Sequence, residues 1–194
     1  HSDVGGADEA GGSPENAGKL LVDATCTPAD IRYPTDLSLL NEAREKTEAL
    51  IDQFHLHIIQ QGAQPVQKPR TYRQKARRQY LSVAKQKKPG AKKIRRAIGQ
   101  QLNYLRRNLG HIARMVEAQP GMLGRLLRYD YKCLLVIHTL YDQQREMHAR
   151  GVHTVADRIV SISQPHVRPI VRGKAGKRVE FGAKLSISHQ SEGY

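Results

Sequence analysis

Residues 19–45 read KLLVDATCTPADIRYPTDLSLLNEARE. The short apolar run KLLV is closed by Asp23, a pattern that predicts a buried strand over about 19–23 ending in a carboxylate. Pro28 and Pro34 mark residues 24–35 as a loop. A helix is expected from Asp36, with Thr35 or Asp36 able to cap it. Leu37, Leu40, Thr47, Leu50, Ile51, Phe54 and Ile58 then recur at three- and four-residue steps on one face. Gly62 and Pro65 end it.

Helical periodicity continues downstream. Thr71 is placed to cap a second helix running to about Lys88, which carries Arg73, Lys75, Arg77, Arg78, Lys85, Lys87 and Lys88 before Pro89-Gly90 breaks it. A third helix spans about 91–118. Its stripe is Ile94, Ile98, Gln101, Leu105, Leu109, Ile112 and Val116, with Lys92, Lys93, Arg95, Arg96, Arg106 and Arg107 outside it. Pro120 suits the first turn of a fourth helix, through Leu123, Leu127, Leu134, His138 and Tyr141 to about Ala149, with Gly151 as its cap. Residues 157–163 (DRIVSIS) and 179–188 (VEFGAKLSIS) then alternate with period two and read as strands. A short strand can lie at 167–172, with Gly173 to Gly176 as a turn. Strand edges left open in this way call for a partner. Residues 1–18, rich in Gly, Ala and acids, read as a flexible linker, one that suggests a preceding segment. The expected fold class is therefore α/β: a partial sheet (about 19–23, 157–163 and 179–188) with a basic insertion of about four helices over 36–150.

The charge is concentrated. Residues 68–132 hold 19 Lys and Arg against only Glu117 and Asp130, whereas residues 1–67 hold four against 11 acids and residues 133–194 nine against five. Such a density of like charge repels itself unless a polyanion is near, and nucleic acid is the polyanion that gains most through counterion release. No apolar run approaches the roughly 20 residues of a membrane span. The acidic, glycine-rich start is no secretory signal. Two cysteines, Cys26 and Cys133, build neither a disulfide scaffold nor a four-ligand zinc site. A cytoplasmic, nucleoid-associated protein is the expectation.

Asp23 is the carboxylate best placed for chemistry, since strand ends in α/β folds carry reactive groups and Mg²⁺ takes one or two protein carboxylates beside phosphate. Residues 20–45, with the run DATCTPADIRYPTD, resemble the segment around the first catalytic aspartate of bacterial insertion-sequence transposases of the DDE class, whose catalytic core is ribonuclease-H-like. Residues 155–188 are similar to the following strands, and the FGAK stretch at 181–184 to the strand ahead of the second aspartate. The resemblance implies that Asp23 is the first member of a catalytic triad holding two Mg²⁺ or Mn²⁺ ions for in-line transfer at a DNA phosphodiester. It also implies that the second aspartate and the glutamate lie beyond Tyr194, because Glu180 and Glu192 do not occupy matching positions. The expected partner is DNA, both element ends and target, with base-specific recognition in a domain ahead of His1 and a homodimer in the full-length protein. Residues 1–194 alone are expected to be inactive.

Other residues carry blander readings. His55 and His57 are two apart and point to different helix faces, so they do not chelate together. Asp30 and Asp36 read as caps, and the cysteines as small packed side chains. Tyr72, Tyr80, Tyr104, Tyr129 and Tyr131 lie among basic residues, where they can either touch nucleic acid or pack between helices. The alternative to the transposase is a non-catalytic basic helical module that binds nucleic acid. It explains the charge but not the strands.

Overall fold

The computed structural model describes residues 21–28, 31, 33–62, 67–171 and 179–189, with the side chains of 21–28, 171 and 183–189 outside the description. The expected linker at 1–18, Asp30, the turn at 173–176 and Glu192 lie outside the described residues. The elements in order are β1 (Leu21–Pro28), α1 (Asp36–Gln60), α2 (Arg73–Ala84), α3 (Ala91–Ala118), a 3₁₀ turn (Pro120–Arg125), α4 (Arg128–Arg150), β2 (Arg168–Val171) and β3 (Val179–His189). The chain divides into two compact units. One contains β1 as far as Thr27 with β3 from Lys184 onward, and the other is Pro28–Ala183. The strand order is β1-β3-β2. β2 pairs antiparallel with the first residues of β3, Arg168 opposite Gly182 and Val171 opposite Val179.

The larger unit is built on helices. Thr35 caps α1 through a reciprocal box with Ser38: the Thr35 hydroxyl accepts from the Ser38 amide, and the Ser38 hydroxyl accepts from the Thr35 amide. That satisfies two of the amides a helix start leaves open. The face of α1 defined by Leu37, Leu40, Ile51, Phe54 and Ile58 is buried against the stripe Ile98, Leu105, Leu109 and Ile112 of α3 and against Leu134, Ile137 and Leu140 of α4. These long helices gain their stability from this shared apolar core rather than from local propensity.

Several sequence expectations are corrected. β1 continues to Pro28, so Asp23 is its third residue and not its last, and the loop starts later. Thr25, Cys26 and Thr27 are at home in extended backbone, and a proline is tolerated at a strand end. Thr71 is buried but does not cap α2; that place is taken by Tyr72, and the helix ends at Ala84. Pro120 opens a separate 3₁₀ turn, and α4 starts at Arg128. Gly151 does end α4, at φ +69°. The largest correction concerns 157–163, which is not a strand. Ile159, Val160, Ser161 and Ile162 are all buried, so the middle of the segment packs as an irregular plug, with only its ends, Asp157 and Ser163, exposed. Side chains satisfy its backbone instead of a neighbouring strand: Gln143 accepts from the Ile159 amide at 3.0 Å, and Ser161 from the Gln164 amide at 3.1 Å. Helix α4 and a local turn thus replace the ladder that period-two alternation suggested.

Candidate nucleic-acid interface

The basic side chains singled out in the sequence lie on or beside α2 and on α3. Arg73, Lys75, Arg77 and Arg78 are on α2, where Ala76 and Val83 turn inward. Lys85, Lys87 and Lys88 follow its end. Lys92, Lys93, Arg95, Arg96, Arg106 and Arg107 are on α3, whose Ala97, Ile98, Leu102 and Leu105 fill the core. All thirteen are exposed. Among the described residues Arg73 alone of these makes an ion pair, with Asp52 at 2.8 Å. The other twelve charges are exposed, with no acidic partner within ion-pair distance among the described residues. The separation has a simple cause: the apolar stripe of each helix consumes the inward positions, and almost no acids occur in this part of the chain to neutralise the outward ones.

The structure adds residues to this surface. Arg70 precedes α2, and Arg114 lies on α3 seven residues after Arg107; both are exposed. The guanidiniums of Arg70 and Arg107 stand 4.6 Å and 4.5 Å from the centre of the Tyr72 ring. Arg114 donates to Nδ1 of His111 at 2.7 Å. Burial, and then the neighbouring Arg114, hold the His111 imidazole below its usual range. Positions 107, 111 and 114 follow four- and three-residue steps, the signal by which the sequence could have assigned Arg114 to the same face as Arg107. Arg70 had no such signal, because only the fold brings the segment before α2 against α3.

The tyrosines divide between buried and exposed positions. Tyr104 is buried and its hydroxyl donates to Gln79 at 2.9 Å, and Tyr80 packs against the core. Tyr72, Tyr129 and Tyr131 are exposed. Tyr129 accepts from Lys46 at 3.2 Å.

Asp23 belongs to β1, with its side chain outside the description. Among the described residues no three His, Cys, Asp or Glu side chains gather to hold a metal ion. The described donors therefore do not make a two-metal centre. Asp36 is a structural carboxylate. It accepts from Arg158 at 2.6 Å and from Gln144 at 2.8 Å, with His153 at 3.5 Å. Cys133 is buried as a free thiol. No helix among the described residues is long and apolar enough to cross a membrane.

The comparisons with known proteins identify nothing: no family model, no curated protein and no solved structure matches the chain.

Proposed function

We propose that this chain is a DNA-binding part of a DDE-class transposase, in which α2 and α3 hold the DNA backbone and Asp23 supplies the first carboxylate of the catalytic triad. The observation that carries the DNA-binding half is the exposed basic surface itself: thirteen cations on or beside two adjoining helices, twelve of them without an acidic partner among the described residues. Lys and Arg in such an array bind phosphates, which position the protein on the duplex without reading its sequence. The transposase half is supported by the DATCTPADIRYPTD and FGAK stretches. The two remaining carboxylates would then lie outside these 194 residues.

The test of DNA binding is titration of a short labelled duplex at several salt concentrations. The expected result is a linear fall of log K with log salt, about 0.9 for each phosphate neutralised. A constant unchanged between about 50 and about 200 mM salt overturns the reading. For the catalytic half, this chain should neither nick nor join DNA with Mg²⁺ or Mn²⁺ on its own. Activity lost in Asp23→Ala would show that the site is complete within these residues.

A second reading, a non-catalytic helical binding module, is favoured by one observation: among the described residues the main hydrophobic cluster is built from the helices, Met122 of the 3₁₀ turn, Ile159 and Ile162. The two readings separate on Asp23. Restoring the rest of a catalytic domain in trans or in cis should give metal-dependent cleavage that requires Asp23 only if the first is right.

A further inference from the structure

Tyr72 is held in an unfavourable backbone conformation. At φ 57° and ψ 26° it is left-handed, a region where a side chain with a Cβ is strained and glycine or asparagine is the ordinary choice. The residue does not compensate by capping α2, since its side chain makes no cap hydrogen bond. Nor is its ring a core residue, being 36% exposed.

What the ring does hold is charge. Two guanidiniums, Arg70 and Arg107, lie within 4.6 Å of its centre. Each is attracted to the ring and both repel one another. No carboxylate among the described residues pairs with either of them; the nearby acid Asp52 is occupied by Lys68 and Arg73. Arg114 adds a third guanidinium to this face through its bond to His111. The result is a set of exposed planar forks gathered on an aromatic ring and a histidine. Guanidinium forks match the oxygens of a phosphodiester, and an anion there removes the repulsion between them.

We propose that Arg70 and Arg107, positioned by Tyr72, grip one backbone phosphate of duplex DNA, and that Arg114 supports the neighbouring charge. The proposal rests on the DNA-binding reading and deepens it by locating one phosphate. Tyr72 is here a positioning residue: it orders the two forks before DNA arrives.

The experiment compares the salt dependence of duplex binding in the whole chain and three variants. Arg70→Gln/Arg107→Gln should lower the slope of log K against log salt by about 1 and weaken binding to all sequences alike. Arg145→Gln/Arg150→Gln, an exposed pair on α4 outside the proposed face, should leave the slope unchanged. Tyr72→Gly should keep or raise the thermal midpoint, because it relieves the left-handed strain, and still weaken binding. If the wild-type chain binds with a steep slope and the Arg70/Arg107 double variant keeps that slope, the inference is wrong and the broader reading stands. If the wild-type chain does not bind, both are wrong. Should the glutamine variant fail to fold, Arg70→Lys/Arg107→Lys replaces it: charge is kept and the forks are lost, so the slope should hold while affinity falls. Undiminished affinity in that variant also overturns the proposal.

Discussion

Arg44 donates to Glu48 across 2.7 Å with both side chains almost wholly withdrawn from water. The same guanidinium donates to Asn41 at 2.7 Å and to Gln101 of α3 at 3.2 Å. Gln101 in turn donates to the Ala76 carbonyl of α2 at 3.1 Å. One buried cation thus links three helices, including the two that display the basic surface.

Removing that cation should be strongly destabilising. Arg44→Met leaves Glu48 buried without its partner, for which a cost of about 3–5 kcal/mol is expected. Urea denaturation measures it. The double variant Arg44→Met/Glu48→Leu should recover most of the loss, because replacing both ends of a buried pair is far milder than removing one. The pH dependence supplies a second readout. Burial raises the Glu48 carboxyl above its ordinary 4.5, with Arg44 opposing the shift. A raised carboxyl favours the folded state fully below 4.5, and this contribution fades as pH climbs through the folded value. In Arg44→Met the loss of stability between mild acid and neutrality should steepen. A double variant no more stable than the single one would count against this account.

Asp52 behaves oppositely. Burial alone would raise its carboxyl, but hydrogen bonds from Arg73 and Lys68 outweigh that and hold it below its ordinary 3.8. Its contribution is therefore present above 3.8 and is lost as pH falls through the lower folded value. Asp52→Asn should cost no more than about 1 kcal/mol at neutral pH, since its cationic partners are about half exposed and screened by water. Thermal melts from neutral to strongly acidic pH should show the wild type losing this margin and converging on the variant. A difference that persists at the acid end would exclude the electrostatic explanation.

Asp36 joins the start of α1 to the plug after α4. Asp36→Asn removes the charge that meets Arg158 at 2.6 Å, on a carboxylate only 14% exposed. A loss of about 1.5–3 kcal/mol is expected, the range of hydrogen bonds to charged groups. Amide exchange should quicken at Ile159 and Ile162 more than at Leu105 and Leu109. Uniform quickening across all four amides would mean that the plug does not open separately.

The helices were legible because buried helix faces leave a three-and-four-residue trace, and because Pro89-Gly90 and Gly151 punctuate it. Residues 157–163 misled for an equally physical reason. Alternation of apolar and polar residues identifies a strand only when one face meets water, and Ser161 is buried with its neighbours through local hydrogen bonds. Arg44 was invisible as a core residue, since nothing in a one-dimensional pattern shows that Glu48, Asn41 and Gln101 will converge on it. In the basic region the thirteen cations were legible as an excess of charge, whereas Arg70 emerged only when its segment was seen beside α3.

The amino-acid order alone determined the helical registers, the inward stripes and the concentration of positive charge, because these depend on short-range periodicity and composition. The tertiary structure decided which cations meet at Tyr72, which charge is buried at Arg44 and which alternating segment forgoes a sheet. Those outcomes depend on contacts between residues far apart in the chain, where the apolar core sets the distances and the polar groups must find partners at the positions it leaves them.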